Sequence, residues 1–245
     1  MKTIAHFDAN FLEPVYRFAG VNDIRHDING INIKPAANGG VILSATDGYT
    51  AIMARDPSGY AFREVTISVD KALIRASKHK GAKAFVATSE GVGVITSVAM
   101  NGTKSVDGLI FSAKAVGKIN KLEDKYPDLT KPSVIGGAKP ETPSQFSINP
   151  VYLARLAGCF GAMQGKHGKA NEHADYVSVI AGADRNSVVR FTPAYEGVEA
   201  MVAIMPVMHD CEPDLSLEWA KPLVKKRLQP GEKFTVETVA KENEQ

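Results

Sequence analysis

Only two cysteines, Cys159 and Cys211, occur in 245 residues. Two thiols do not make a disulfide framework, and a reducing cytosol is the expected setting. Long apolar runs are missing too: nothing approaches the roughly 20 residues needed to cross a bilayer, so no membrane role is expected. The opening residues, Met1-Lys2-Thr3-Ile4-Ala5-His6, lack the apolar stretch of a secretion signal. Charge of one sign is not in excess. Lys and Arg number 29 against 27 Asp and Glu, a net +2. A histone-like or tail-driven nucleic-acid binder would be far more basic, so any phosphate contact has to come from local patches. G-x-S-x-G, Walker A, G-x-G-x-x-G and H-E-x-x-H patterns are all absent. His167, His173, His209 and Cys211 match no standard zinc spacing. Asp47 has no histidine partner fixed by the sequence, and Cys159 falls on an apolar helical stripe that suits a core residue better than a nucleophile. No enzymatic activity, metal or cofactor is expected.

What is present is the composition of a folded globular chain, 44% hydrophobic and 23% charged, long enough for one large domain or two ordinary ones. A strand is predicted over Thr3 to Phe7. A short helix follows from Asn10, with Asn10 as cap, Glu13 at the capping-box position and Pro14 in the first turn. Leu12, Val15, Tyr16 and Ala19 form its apolar face, and Gly20 stops it. Strands are predicted at Ile28 to Ile33, Gly40 to Thr46 and Tyr49 to Arg55, divided by turns at Asn38-Gly39-Gly40 and Asp47-Gly48. The order then recurs: a strand at Glu64 to Val69, a helix at Asp70 to His79, and strands at Ala84 to Thr88, Gly93 to Ala99 and Gly108 to Lys114. A third copy starts at Gln145-Phe146-Ser147-Ile148. Asn149 caps its helix, Pro150 sits at the first helical position, and Leu153, Leu156 and Cys159 or Phe160 form the expected buried stripe. Strands at Tyr176 to Ile180, Ser187 to Phe191 and Val198 to Met205 complete it. Asn120 to Pro143 and Gly165 to Ala174 read as connections. A tail from His209 holds one further helix, Leu217 to Leu228, which Pro222 would kink, and a strand around Phe234 to Val239.

Strand, helix and three strands, repeated, make an α+β chain of antiparallel sheets with helices on one face. The repeat lives in element order, not residue identity. Such sheets need their edges covered, and pairing edges between units is one solution. A helix layer bearing cations could then track a phosphate backbone without reading sequence. In the second helix Lys71, Arg75, Lys78 and His79 share one face, Lys80 and Lys83 follow, and Leu73, Ala76 and Ser77 face the sheet. Arg17 and Arg155 fall on comparable polar sides of the first and third helices, and Lys166, His167 and Lys169 form a basic loop. Lys221, Lys225, Lys226 and Arg227 cluster in the tail, either on phosphates or at a helix C-terminus. A plain solvated face is the competing reading for each of these groups.

Three short motifs add to this. Ile24-Arg25-His26-Asp27-Ile28-Asn29-Gly30-Ile31 followed by Leu43-Ser44-Ala45-Thr46-Asp47-Gly48-Tyr49-Thr50-Ala51 resembles the strand pair "R-x-x-L-N-G … A-T-D-G-H-R-L-A" of the bacterial sliding clamp, the beta subunit of the replicative polymerase. Tyr126-Pro127-Asp128-Leu129-Thr130-Lys131 is similar to that family's inter-domain "F-P-D-Y-R-R". Ala203-Ile204-Met205-Pro206-Val207-Met208 is similar to its C-terminal "V-V-M-P-M-R-L". The three stand in the family's order, and the likeness covers roughly residues 1 to 208.

The resemblance implies the DNA clamp fold, with a clamp-like domain at 1–125, a connection at 126–144 and a second domain at 145–245. It implies a pocket for short peptides of polymerases and clamp loaders, formed by Ile28, Thr46, Gly48, Tyr49, Thr50, Pro127, Lys131, Met205, Pro206, Val207 and Met208. It also implies duplex DNA, bound without sequence preference, against Arg17, Lys71, Arg75, Lys78, His79, Lys80, Arg155, Lys166 and Lys169. The setting would be the cytoplasm, at the bacterial nucleoid or encoded by a phage. The residue chemistry agrees: Met and Val give adaptable walls, Tyr49 an aromatic wall with a polar tip, and Gly48 a close backbone approach. The departures are Tyr49 and Thr50 for the family's His and Arg, Met208-His209 for its "R-L", a tail running past the last motif, and three repeats where the family has six. If the tail supplies a fourth unit, a trimeric ring follows. The alternatives are a clamp-like adaptor or competitor that does not close, and an unrelated α+β enzyme.

Overall fold

The computed structural model describes residues 2–100, 112–122, 125–131, 147–165, 177–181, 187–194 and 197–206. The chain divides into two compact units, residues 1–208 and 209–245. The expected tail elements, Leu217 to Leu228 and Phe234 to Val239, lie outside the described residues, as do the start of the third copy and nearly all of the Gly165 to Ala174 connection.

The first repeat runs β1 (Thr3–Asp8), α1 (Leu12–Tyr16), β2 (Ile31–Pro35), β3 (Val41–Thr46) and β4 (Thr50–Asp56), with a two-residue β5 at Tyr60–Ala61. The second runs β6 (Val65–Val69), α2 (Lys71–Ser77), β7 (Ala84–Thr88), β8 (Val92–Thr96) and β9 (Ala113–Leu122). The third runs α3 (Pro150–Leu156), α4 (Cys159–Met163), β10 (Val177–Ile180), β11 (Val189–Pro193) and β12 (Glu199–Ile204). Strand, helix and three strands therefore recur in the first two repeats, while the third shows its helices and three strands and most of its expected leading strand lies outside the described residues.

All twelve described strands join in one antiparallel sequence of neighbours, β10-β11-β12-β4-β3-β2-β6-β9-β8-β7-β1-β5. The first two repeats exchange their leading strands. β1 pairs with β7, Phe7 opposite Phe85, and β6 pairs with β2, Ile67 opposite Ile31. Neither repeat can thus complete its sheet alone. The third repeat docks differently: β12 lies antiparallel against β4 from Glu199 opposite Arg55 to Ile204 opposite Thr50. That pairing covers the edge β4 would otherwise expose.

Core residues follow the period of two that strands impose. Ile31 and Ile33, Val41, Leu43 and Ala45, Ile52 and Ala54, and Ile67 and Val69 point inward. They join Leu12, Val15, Leu73 and Phe160 from the helices in a single core cluster. All the described helices therefore serve one face of the sheet. The alternate residues, among them Asn32, Ser44, Met53 and Thr66, stand on the outer face.

Several local expectations are corrected. The first helix is entered through a 3-10 turn at Ala9–Phe11, so the cap falls at Asp8 and not at Asn10: the Asp8 carboxylate accepts the Asn10 N–H at 2.8 Å. Ile28 ends a second 3-10 turn, His26–Ile28, outside any strand. The Asn29 side chain fixes that turn, donating to the Asp23 carbonyl at 2.8 Å and accepting the Asp23 N–H at 2.9 Å. Leu153 is 41% exposed. The stripe of α3 is Tyr152 and Leu156, one turn apart, and Gly158 at φ +68° ends the helix and re-aims the chain so that Cys159 and Phe160 are buried. The strand expected at Gly108 to Lys114 begins at Ala113 and runs on to Leu122, into the stretch expected to be a connection. Residues 101–111 are outside the described set.

Candidate functional site

The hairpin between β3 and β4 is held by one carboxylate. Asp47 Oδ1 accepts the backbone N–H of Thr50 at 2.7 Å, that of Tyr49 at 2.9 Å and the Thr50 hydroxyl at 3.0 Å. The Thr46 hydroxyl bridges the base of the turn, donating to the Thr50 carbonyl at 2.7 Å and accepting the Gly48 N–H at 3.0 Å. Gly48 has φ +90°, which side chains disfavour, and a Cβ there would lie 2.7 Å from Arg25 Nη1. The turn thus needs Asp, Gly and Thr at these places.

The remaining oxygen, Asp47 Oδ2, pairs with Arg155 of α3, which also donates to the Thr50 hydroxyl at 2.8 Å. Burial pushes the Asp47 carboxyl up, but the Thr50 and Tyr49 amides and the Arg155 guanidinium outweigh it and hold the group below the ordinary carboxylate range. Arg155 sits 5.4 Å over the Tyr152 ring, and Tyr152 stacks on Tyr49 at 6.3 Å between centroids. The Met205 N–H reaches the Tyr49 carbonyl at 2.9 Å, extending the β12–β4 pairing into the turn. First and third repeats therefore meet at this hairpin through backbone, charge and aromatic contacts.

Above it crosses the segment 125–131. Tyr126 and Leu129 are buried against Ala51 and Ala203 on the outer sheet face, with Met53 and Val188 alongside. Burial pushes the Tyr126 phenol well above its ordinary value. Asp128 accepts the Thr130 N–H at 3.0 Å and its hydroxyl at 2.6 Å, closing a turn.

Between hairpin, crossing segment and β12 lies a pocket of about 250 Å³. Of the residues expected there, Ile28, Thr46, Gly48, Tyr49, Thr50, Pro127 and Met205 line it. Lys131 and Pro206 are described but are not among its lining residues, and Val207 and Met208 lie outside the described residues. Sequence reasoning missed Arg25, Asp27, Ala51, Leu129, Val188 and Ala203. Five of these belong to the three quoted motifs. Val188, just before β11, carries no motif and could be found only from strand pairing. Tyr49 is 60% and Met205 48% exposed. Large apolar groups left open beside a concavity mark it as a place for an apolar ligand.

The cationic residues separate into two kinds. Lys71, Arg75, Lys78, His79 and Lys80 are exposed on and just after α2, while Leu73 and Ser77 are buried beneath. Lys78 alone of these has a carboxylate in reach among the described residues, Glu13 at 3.6 Å. Arg17 is engaged by Glu13 at 3.0 Å and donates to the Ala157 carbonyl at 2.9 Å. Arg155 is engaged by Asp47. Lys166 and Lys169 lie outside the described residues. Among the described residues no cluster of His, Cys, Asp or Glu is placed to hold a metal, and no helix is long and apolar enough to cross a membrane.

No protein-family model matches the chain, and no curated protein matches it in sequence. Solved structures do match in fold. The DNA polymerase sliding clamp of Pseudomonas aeruginosa superposes with TM-score 0.52 at 13% identity, over 84% of this chain and 67% of its own. The sliding clamp (DNA polymerase III subunit beta) of Bartonella birtlesii, bound to griselimycin, gives TM-score 0.56 at 12% identity, over 85% and 67%. The DNA polymerase beta subunit of Streptococcus pyogenes gives 0.50 at 13%, over 83% and 65%. The chain has the sliding-clamp fold, and it spans about two thirds of the length of these clamps.

Proposed function

We propose that this chain is a DNA sliding clamp, a processivity factor that encircles duplex DNA as a homo-oligomeric ring and docks short peptides of a polymerase and a clamp loader. The observation that carries the reading is the convergence of three segments distant in sequence, 25–51, 126–129 and 203–205, on one open apolar pocket beside a braced hairpin. The clamp fold supports it. Residues 1–125 and 145–245 would act as two clamp-like domains joined by 126–144, and a fourth unit in the tail would make the ring a trimer. The setting is the cytoplasm, at the nucleoid of a host or on phage DNA. The mechanism is a topological link with weak phosphate contacts, which raises the effective concentration of a tethered polymerase at the primer end and is not enzymatic. Lys71, Arg75, Lys78, His79 and Lys80 supply those contacts, with Lys166 and Lys169 as further candidates, while Arg17 is held by Glu13. Arg155 instead serves the hairpin, because its charge is spent on Asp47.

The pocket is tested by fluorescence anisotropy with an acetylated peptide carrying a Leu-Phe anchor. Tyr49→Ala and Met205→Ala are each expected to weaken capture by about 1–2 kcal/mol, roughly 5- to 30-fold in Kd. Unchanged affinity in both would remove the pocket. Reversing Lys71, Arg75 and Lys78 to Glu is expected to lower the slope of log K against log salt for duplex DNA by roughly 2–3. An unaltered slope would demote the stripe to a solvated helix face.

A second reading is a clamp-like adaptor that binds the same peptides without closing a ring. It is favoured by the chain spanning only two thirds of the clamps it superposes on. Light scattering decides between the two: a ring has a multiple of the 26.3 kDa chain mass, and a monomer at every concentration leaves the adaptor.

A further inference from the structure

The apolar pocket has a larger neighbour. On the far side of the 125–131 segment lies a cavity of about 740 Å³ whose floor is the outer face of the sheet. Its character is opposite. Lys34, Arg63, Lys121 and Lys125 line it against two carboxylates, Glu64 and Asp128. Both carboxylates are already engaged, Glu64 by the Asn32 side-chain N–H at 3.0 Å and Asp128 by Thr130. Lys121 donates to the Ser89 carbonyl at 2.8 Å. Lys34, Arg63 and Lys125 have no carboxylate within salt-bridge distance among the described residues. The floor adds polar groups, Asn32, Ser44 and Thr66, all buried. Lys34 acts across the cavity on Asp128, and Arg63 and Lys125 stand without an ion-pair partner among the described residues, so four cations against two carboxylates over a polar floor favour negative charge. Pro127 and Leu129 line both cavities, so the segment that carries them is a ridge between an apolar site and a cationic one.

We propose that this second cavity receives the acidic flank of the peptide whose apolar residues fill the first, so that the full ligand is a short segment with an apolar anchor and carboxylates a few residues away, laid across the Pro127 ridge. This rests on the peptide-docking reading above. The cavity lies on the face opposite the helices, away from the stripe proposed for duplex DNA, and Glu64 and Asp128 disfavour a continuous polyphosphate while leaving room for one or two carboxylates. The apolar site supplies the common anchor, and the cationic site selects among peptides that share it.

The test uses the full chain and two pairs of acetylated, dye-labelled peptides. All carry the same Leu-Phe anchor. Within a pair the flank is three Glu or three Gln, placed before the anchor in one pair and after it in the other. In one pair the Glu peptide is expected to bind roughly tenfold tighter at low salt. That preference should vanish near 1 M salt, where screening acts within about 3 Å. It should also vanish in the variant Lys34→Ala/Arg63→Ala/Lys125→Ala while the Gln peptide keeps its affinity. The single change Arg63→Glu, at an exposed position, should reduce the preference on its own and covers the case in which the triple variant folds poorly. Equal affinity for Glu and Gln flanks in both pairs, or a preference that survives the substitutions, overturns the inference and leaves the pocket standing. Failure of every peptide to bind removes both. If oligo-dT, and not the Glu peptide, loses affinity in the variants, the cavity belongs to nucleic acid and the inference is wrong.

Discussion

Gly30→Ala is expected to destabilise the chain by about 3 kcal/mol, the upper part of the range for forcing one methyl into a packed place. A Cβ at residue 30 would lie 2.3 Å from the Ile67 carbonyl oxygen and 2.7 Å from its carbonyl carbon. Both are backbone atoms of β6, the strand that the second repeat lends to the first. They cannot swing aside as a side-chain tip would, because β6 is held on both sides, Ile67 opposite Ile31 in β2 and opposite Lys121 in β9. Relief would require β2 and β6 to part, which undoes the strand exchange joining the two repeats. Gly39→Ala is the control. Its φ is +83° but nothing lies within 4 Å of a Cβ there, so only the conformational cost applies, roughly 1–2 kcal/mol. Urea unfolding followed by circular dichroism measures both. A Gly30→Ala midpoint no lower than that of Gly39→Ala would mean that the crossing is loose and that the exchange does not depend on it.

Gly30 also shows how far the sequence could be read. The motif Ile28-Asn29-Gly30-Ile31 was legible as a motif, and strand periodicity placed β3, β4, β6 and β7 to within a residue or so of their observed bounds. The reason for the glycine was not legible, since it lies in the backbone of a strand 37 positions on, from Gly30 to Ile67. The same holds at the candidate site. Thr46, Gly48, Tyr49, Pro127 and Met205 announced themselves by resemblance. Val188 is an ordinary valine before an ordinary strand and lines the pocket only because β11 lies beside β12 and β12 beside β4. Arg155 is the instructive case. On a helix it read as one more surface cation comparable to Lys71 and Arg75. A helical wheel records which side of its own helix a residue occupies, and it is silent about what the fold brings opposite. Here the fold brings Asp47, more than a hundred residues earlier in the chain.

That pair supports the other large expected effect. Arg155→Ala should cost about 2–3 kcal/mol, somewhat under the 3–5 typical of breaking a fully buried pair, because the Arg155 side chain is still 26% exposed. The loss has two parts. Asp47 keeps its charge in a half-buried place with only the Tyr49 and Thr50 amides and the Thr50 hydroxyl to answer it, and the third repeat loses the charge contact that joins α3 to the hairpin. The pH dependence separates this from a simple packing loss. In the parent chain the folded-state pKa of Asp47 is depressed, so its contribution is complete above the ordinary value of about 3.9 and drains away as the pH falls below that, through the lower folded value. Without Arg155 one of the groups that together outweigh burial is gone while the Thr50 and Tyr49 amides remain, the Asp47 titration moves upward, and the parent's advantage over the variant should shrink steadily below about pH 4. Asp47→Asn should show no such drain from this position at all. Tyr49 stacks on Tyr152, one turn from Arg155, and Arg155 donates to the Thr50 hydroxyl, so the same substitution should also weaken capture of the Leu-Phe peptide several-fold although Arg155 does not itself line the pocket. A variant with the parent's melting midpoint at neutral pH would put this pair among the ion pairs that contribute nothing measurable, and the third repeat would then be held to the first by the β12–β4 strand pairing, the Arg55–Glu199 and Arg17–Ala157 contacts and the apolar contacts around Phe160.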